Sequence, residues 1–102
     1  MKQLNTFGLS LETTKSLKDI FSKYPEIHQV ILYGSRAKGN YKKGSDIDLS
    51  IVAPSMTFSQ LLKIENLIDD LMLPYKIDLS LYHHIDNPEL IDHIERVGIP
   101  ID

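Results

Sequence analysis

Three aspartates stand where acidic chemistry could converge. Asp46 and Asp48 lie two residues apart in a stretch, 46–53, in which polar and apolar residues alternate. Alternation with period two reads as a strand, so both carboxylates leave on one face, with Cα atoms about 6–7 Å apart. Asp78 holds the polar phase of a second alternating stretch, 75–82. There Tyr75, Ile77, Leu79 and Leu81 share one face, and Lys76, Asp78, Ser80 and Tyr82 share the other. If these two strands adjoin, Asp78 reaches the same point as the first pair. Two carboxylates about 4 Å apart repel by about 4 kcal/mol at an effective dielectric of about 20. Hard divalent cations relieve that repulsion. Magnesium takes oxygen ligands and keeps water and substrate phosphates in its shell. Two such ions about 3.5–4 Å apart clamp the attacking and leaving oxygens of an in-line phosphoryl displacement.

A second group of residues suits an anion. Gly34-Ser35-Arg36-Ala37-Lys38 follows an apolar run. Glycine lets main chain approach a phosphate closely, and the turn after it directs amide N–H groups and the Ser35 hydroxyl outward. Arg36 and Lys38 add positive charge, and arginine can hold phosphate with two parallel hydrogen bonds. The expected anion-binding set is therefore Gly34, Ser35, Arg36 and Lys38. Lys42 and Lys43 extend the basic loop and read as solvated.

The elements that must position these groups follow from periodicity and turn residues. Residues 10–24 carry Leu11, Leu17, Ile20, Phe21 and Tyr24 at helical spacing, with Ser10 as cap and Pro25 as stop. Residues 27–33, with Val30, Ile31 and Leu32 consecutive, read as a buried strand broken by Gly34. Residues 35–38 fit one helical turn, and Gly39, Asn40 and Gly44 mark a loop. Thr57 caps a helix that runs towards Pro74, and Asn87-Pro88-Glu89 opens another that ends near Gly98. The first six or so residues read as a loose end.

The order is helix, strand, short turn, strand, helix, strand, helix. The short loop between the first two strands favours an antiparallel pair, whereas a helix between the second and third permits a parallel pair. The expected fold class is α/β of the α+β kind: a mixed β-sheet with helices packed on one face and an open acidic face. Residues 1–102 fit a single domain.

Composition narrows the function classes. The formal net charge is −3, while Arg36, Lys38, Lys42 and Lys43 fall together without an acid among them. A local basic loop on an acidic chain suits a small anion better than a long polyanion, so no direct nucleic-acid partner is expected. The chain has no cysteine, which excludes disulfides, thiolate metal sites and cysteine nucleophiles. No apolar run approaches a membrane span and no secretory leader is visible, so the expected location is cytoplasmic. His83 and His84 read as surface residues, and His28 and His93 receive no role. Tyr33 and Tyr41 flank the loop, where stacking on a base competes with packing.

Gly34-Ser35-Arg36-Ala37-Lys38-Gly39 followed by Gly44-Ser45-Asp46-Ile47-Asp48-Leu49 resembles the signature of the DNA polymerase β-like nucleotidyltransferases. The match is nearest to their minimal (MNT) branch, the antitoxin partners of HEPN-domain toxins. Position 38 departs from the pattern, with lysine in place of the usual arginine. The resemblance implies the nucleotidyltransferase fold, ATP as substrate and magnesium as cofactor. It implies that Gly34 and Ser35 bind the triphosphate, that Asp46 and Asp48 bind metal, and that Asp78 completes the metal site and accepts the acceptor's proton. It also implies AMP transfer onto a tyrosine of a HEPN toxin, in a hetero-oligomer with that toxin. The rival expectations are a non-catalytic module that neutralises its partner by occlusion and a small-molecule enzyme of the aminoglycoside-modifying type.

Overall fold

In the computed structural model, which describes residues 6–101, the three longer helices each start on a side-chain cap that the sequence encodes. The residues read as a loose end fall, for 1–5, outside the described residues; Thr6–Gly8 forms a short 3-10 turn. Helix α1 (Leu11–Phe21) begins where the Ser10 hydroxyl accepts from the Thr13 N–H at 3.1 Å. Strand β1 (Gln29–Tyr33) ends at Gly34, and α2 (Ser35–Lys38) is the single helical turn. After the loop comes β2 (Ile47–Val52), then α3 (Phe58–Asp69). Thr57 and Gln60 cap α3 reciprocally, each side chain bonding the other's main chain. Strand β3 (Ile77–Leu81) leads through a 3-10 turn, Tyr82–His84, to α4 (Pro88–Val97). The Asn87 side chain accepts from the Glu89 and Leu90 N–H groups, and proline fills the first helical position.

The strands form one mixed sheet in the order β3-β2-β1-β4. As expected from the connections, β1 and β2 are antiparallel and β2 and β3 are parallel. Strand β4 (Ile99–Pro100) was not expected from the sequence. It pairs with β1 for only two residues, one of them a proline. Such a fragment carries no alternation to read, and proline is tolerated because the strand is at an edge.

The core lies between the sheet and the α1–α3 layer. Val30, Leu32, Ile47, Leu49 and Ile51 are fully buried on that face, against Leu17, Ile20 and Phe21 of α1 and Leu61, Ile64 and Ile68 of α3. Helix α4 corrects the expectation that all helices share one face: it covers the β1 end of the opposite face. A Cβ on Gly98, at the end of α4, would strike the Ile31 side chain, and His93 of α4 packs edge-on to Tyr33. Ile31 and Tyr33 alternate with Val30 and Leu32, so β1 is apolar on both faces and needs cover on both. The acidic face therefore stays open over β2 and β3 and not across the whole sheet. Gly98 ends α4 with φ −65°, so it is required for this close approach and not for a left-handed cap. No helix among the described residues is long and apolar enough to cross a membrane.

Candidate active site

Strand register brings the acidic residues to one end of the open face. Tyr33 of β1 lies opposite Asp48 of β2, and Asp48 lies beside Asp78 of β3. Neighbouring strands are about 4.8 Å apart, so the row Tyr33–Asp48–Asp78 crosses three strands with its side chains on one face. Asp46 precedes β2 by one residue, in the same phase as Asp48. Asp46 and Asp78 are exposed, and Asp48 is half-buried.

Electrostatics report the crowding. The Asp48 carboxyl is pushed above its ordinary range, first by burial, then by the charges of Asp78 and Asp46, with His93 acting in the opposite sense. The Tyr33 hydroxyl is also raised by burial, with the nearby Ser80 side chain acting in the opposite sense and the charges of Asp78 and Asp48 raising it further. Tyr33 thus lines the acidic site, although only its place beside the loop could have drawn attention to it in the sequence. Further along the same face Ser50 is fully buried, and the Ser80 hydroxyl bonds to its oxygen at 3.3 Å.

The donor set consists of oxygens that repel one another, which suits a hard divalent cation. Asp46, Asp48 and Asp78 form an open row and not a closed cage: among the described residues no three acidic, histidine or cysteine side chains are grouped tightly enough to hold a metal alone. An ion shared with substrate phosphates needs few protein ligands and free positions in its shell. The open row and the repulsion at Asp48 are compatible on that basis.

The anion-binding residues divide into two kinds. Gly34 has φ +78°, and a Cβ there would meet the Asp48 carboxylate. Glycine is required both for the turn and for the close passage of the chain against Asp48. Its N–H donates to Nε2 of His93 at 3.2 Å, a partner on α4 to which no local pattern points. Ser35 opens α2 and is half-buried; Lys38 closes it and is exposed.

Arg36 is a correction. It is 2% exposed, and its guanidinium is spent on main-chain carbonyls: on Ser45 at 2.8 Å and on Phe7 at 2.8 Å. Its carbon centre lies 5.1 Å from the ring centroids of both Tyr41 and Tyr75. Arg36 therefore pins the loop before Asp46 to the N-terminal turn, with its guanidinium buried against main-chain carbonyls and turned away from the open face. Tyr41 is half-buried and has one ring face against Arg36. A basic residue beside a glycine turn reads as an anion ligand, and only its burial distinguishes the two roles. His83 and His84 are exposed at the far end of β3, with ring centroids 4.4 Å apart, and take no part in the site.

The chain resembles two proteins of Methanocaldococcus jannaschii, both provisionally named protein adenylyltransferases. One is 32% identical over 79 residues, covering 74% of this chain and 80% of the relative. The other is 30% identical over 94 residues, covering 84% and 95%. Among solved structures, a toxin–antitoxin protein crystallised with AMP-PNP superposes with a TM-score of 0.70 at 17% identity, over 87% of this chain and 72% of that one. A Sulfolobus solfataricus protein provisionally called a nucleotidyltransferase gives 0.52 at 20% identity, over 88% and 83%. At such identities the structures share the fold. The profile of the family described as polymerase beta, nucleotidyltransferase, matches residues 15–101, and the chain belongs to that family of nucleotide-transferring enzymes.

Proposed function

We propose that this chain transfers AMP from ATP to the hydroxyl of a tyrosine on a HEPN-domain toxin, and so acts as its antitoxin. The observation that carries the reading is the row in which Asp48 lies beside Asp78 while Gly34 passes against the Asp48 carboxylate. That arrangement sets the Gly34–Ser35 turn against an acidic, open strand end. The names of the two archaeal relatives support a protein acceptor, and the toxin–antitoxin neighbours support a toxin as that acceptor.

In this reading the Gly34–Ser35 turn and Lys38 hold the triphosphate. Asp46 and Asp48 hold magnesium, probed best as two ions, with Asp78 completing the site. Bound magnesium supplies positive charge against the α-phosphate and the departing pyrophosphate. The acceptor oxygen bonds to the α-phosphorus, the bond to pyrophosphate breaks, and the hydroxyl proton passes to Asp78. The work of the chain is placement and electrostatics. The open face over β2 and β3 leaves room for a hydroxyl carried by another protein.

The test is transfer of label from α-radiolabelled ATP to a co-expressed HEPN toxin. Asp46→Asn combined with Asp48→Asn should lower labelling by at least about 10³-fold, the upper range for loss of a charge-stabilising group. A double variant that still labels the toxin would sink the enzymatic reading. A variant that loses labelling yet fully protects cells would assign neutralisation to occlusion.

A further inference from the structure

We infer that His93 is a positioning residue for nucleotide transfer, acting through the main chain of Gly34. The inference rests on the nucleotidyl transfer proposed above.

Gly34 is held from two sides. On one side the Asp48 carboxylate lies where a Cβ would be. On the other, the Gly34 N–H donates to His93 Nε2 at 3.2 Å. An imidazole that accepts at Nε2 carries its proton on Nδ1. The contact fixes the plane of the Tyr33–Gly34 peptide. The next peptide is fixed as well, because the Gly34 carbonyl accepts from the Lys38 N–H at 3.1 Å and so starts α2. The direction of the Ser35 amide follows from the second of these planes.

The placement of His93 is itself built into the fold. Its neighbour Ile94 is buried and sets the rotation of α4. Gly98 lets the end of α4 close onto Ile31 of β1. The imidazole stands edge-on to Tyr33, with ring centroids 6.0 Å apart and planes at 79°. A residue 59 positions away in sequence thus orients the loop that precedes the metal-binding strand. Asp48, Asp46 and Asp78 are the charged groups of the sheet that face this corner.

Two substitutions separate acceptor from packing. His93→Phe keeps a ring against Tyr33 and removes the acceptor. His93→Gln places an amide oxygen near the position of Nε2 and restores it. In metal-free, nucleotide-free protein, hydrogen exchange at the Gly34 amide should quicken at least tenfold in His93→Phe and stay within threefold of wild type in His93→Gln. Calorimetric titration with ATP and magnesium should show affinity lowered at least fivefold in His93→Phe and recovered in His93→Gln, with all three proteins folded by circular dichroism. Unchanged exchange and affinity in His93→Phe would overturn the inference, as would equal impairment in both variants, since packing alone would then account for the histidine. If wild-type protein binds no ATP, the proposed function fails, and the exchange measurement still decides whether His93 orients Gly34.

Discussion

The two faces of β2 are built from alternate residues of one six-residue strand, and they have opposite relations to stability. Ile47, Leu49 and Ile51 are fully buried on one face, under α1 and α3. On the other face burial, and then the charges of Asp78 and Asp46, make the Asp48 carboxyl resist ionisation. The first face supplies the burial that holds the domain together. The second carries repulsion that the first must outweigh, and a site so arranged is stabilised by the cation or substrate it binds. The contrast shows that the candidate site is not an addition to the core: the alternation that buries three aliphatic residues turns the acids to the opposite face.

Four further substitutions would break or sharpen this contrast, and the first should have the largest effect. Leu49→Ala removes a fully buried side chain between the acids' own strand neighbours. It should cost about 2–5 kcal/mol of stability in chemical denaturation. A loss under about 1 kcal/mol would mean that the apolar face does not carry the fold.

Arg36→Met comes second. It leaves the Ser45 and Phe7 carbonyls without their donor, and a buried polar group deprived of its partner costs about 1–3 kcal/mol. Lys38→Ala should leave the melting temperature unchanged and weaken ATP binding. The reverse pattern, with Arg36→Met stable but unable to bind ATP, would return Arg36 to the anion-binding set.

The smallest effect has the most informative sign. Because the folded-state pKa of Asp48 is raised, folding favours its protonated form. Its contribution is fully stabilising below the unfolded pKa and is lost as pH rises through the folded value. At neutral pH without metal, Asp48 is therefore a cost, and Asp48→Asn should hold or raise the melting temperature. Magnesium should raise that of wild type more than that of the variant. A variant that melts clearly lower in metal-free buffer would show that the carboxylate is held by favourable contacts instead of repelled.

Much of this was legible in the residues themselves. Alternation around Asp46 and Asp48 gave their shared face, because side chains in a strand can only alternate. Ser10, Thr57 and Asn87 announced their helices, because short polar side chains satisfy the first free N–H groups. Gly34 was recognisable as a turn, but its second reason, the Asp48 carboxylate against it, depends on an antiparallel register that no local pattern states.

What only the tertiary structure decided involves residues far apart in sequence. Asp78 joins Asp48 because β3 lies beside β2 in matched register. Arg36 turns from expected ligand to buried clamp because Phe7 and Ser45 converge on it. Helix α4 crosses to the acidic face because β1 is apolar on both sides, and it brings His93 to Gly34. Local sequence fixes which way a side chain leaves its own strand or helix, since backbone geometry repeats every two or 3.6 residues. It does not fix which distant carbonyl, carboxylate or amide that side chain meets, because that depends on how complete elements pack.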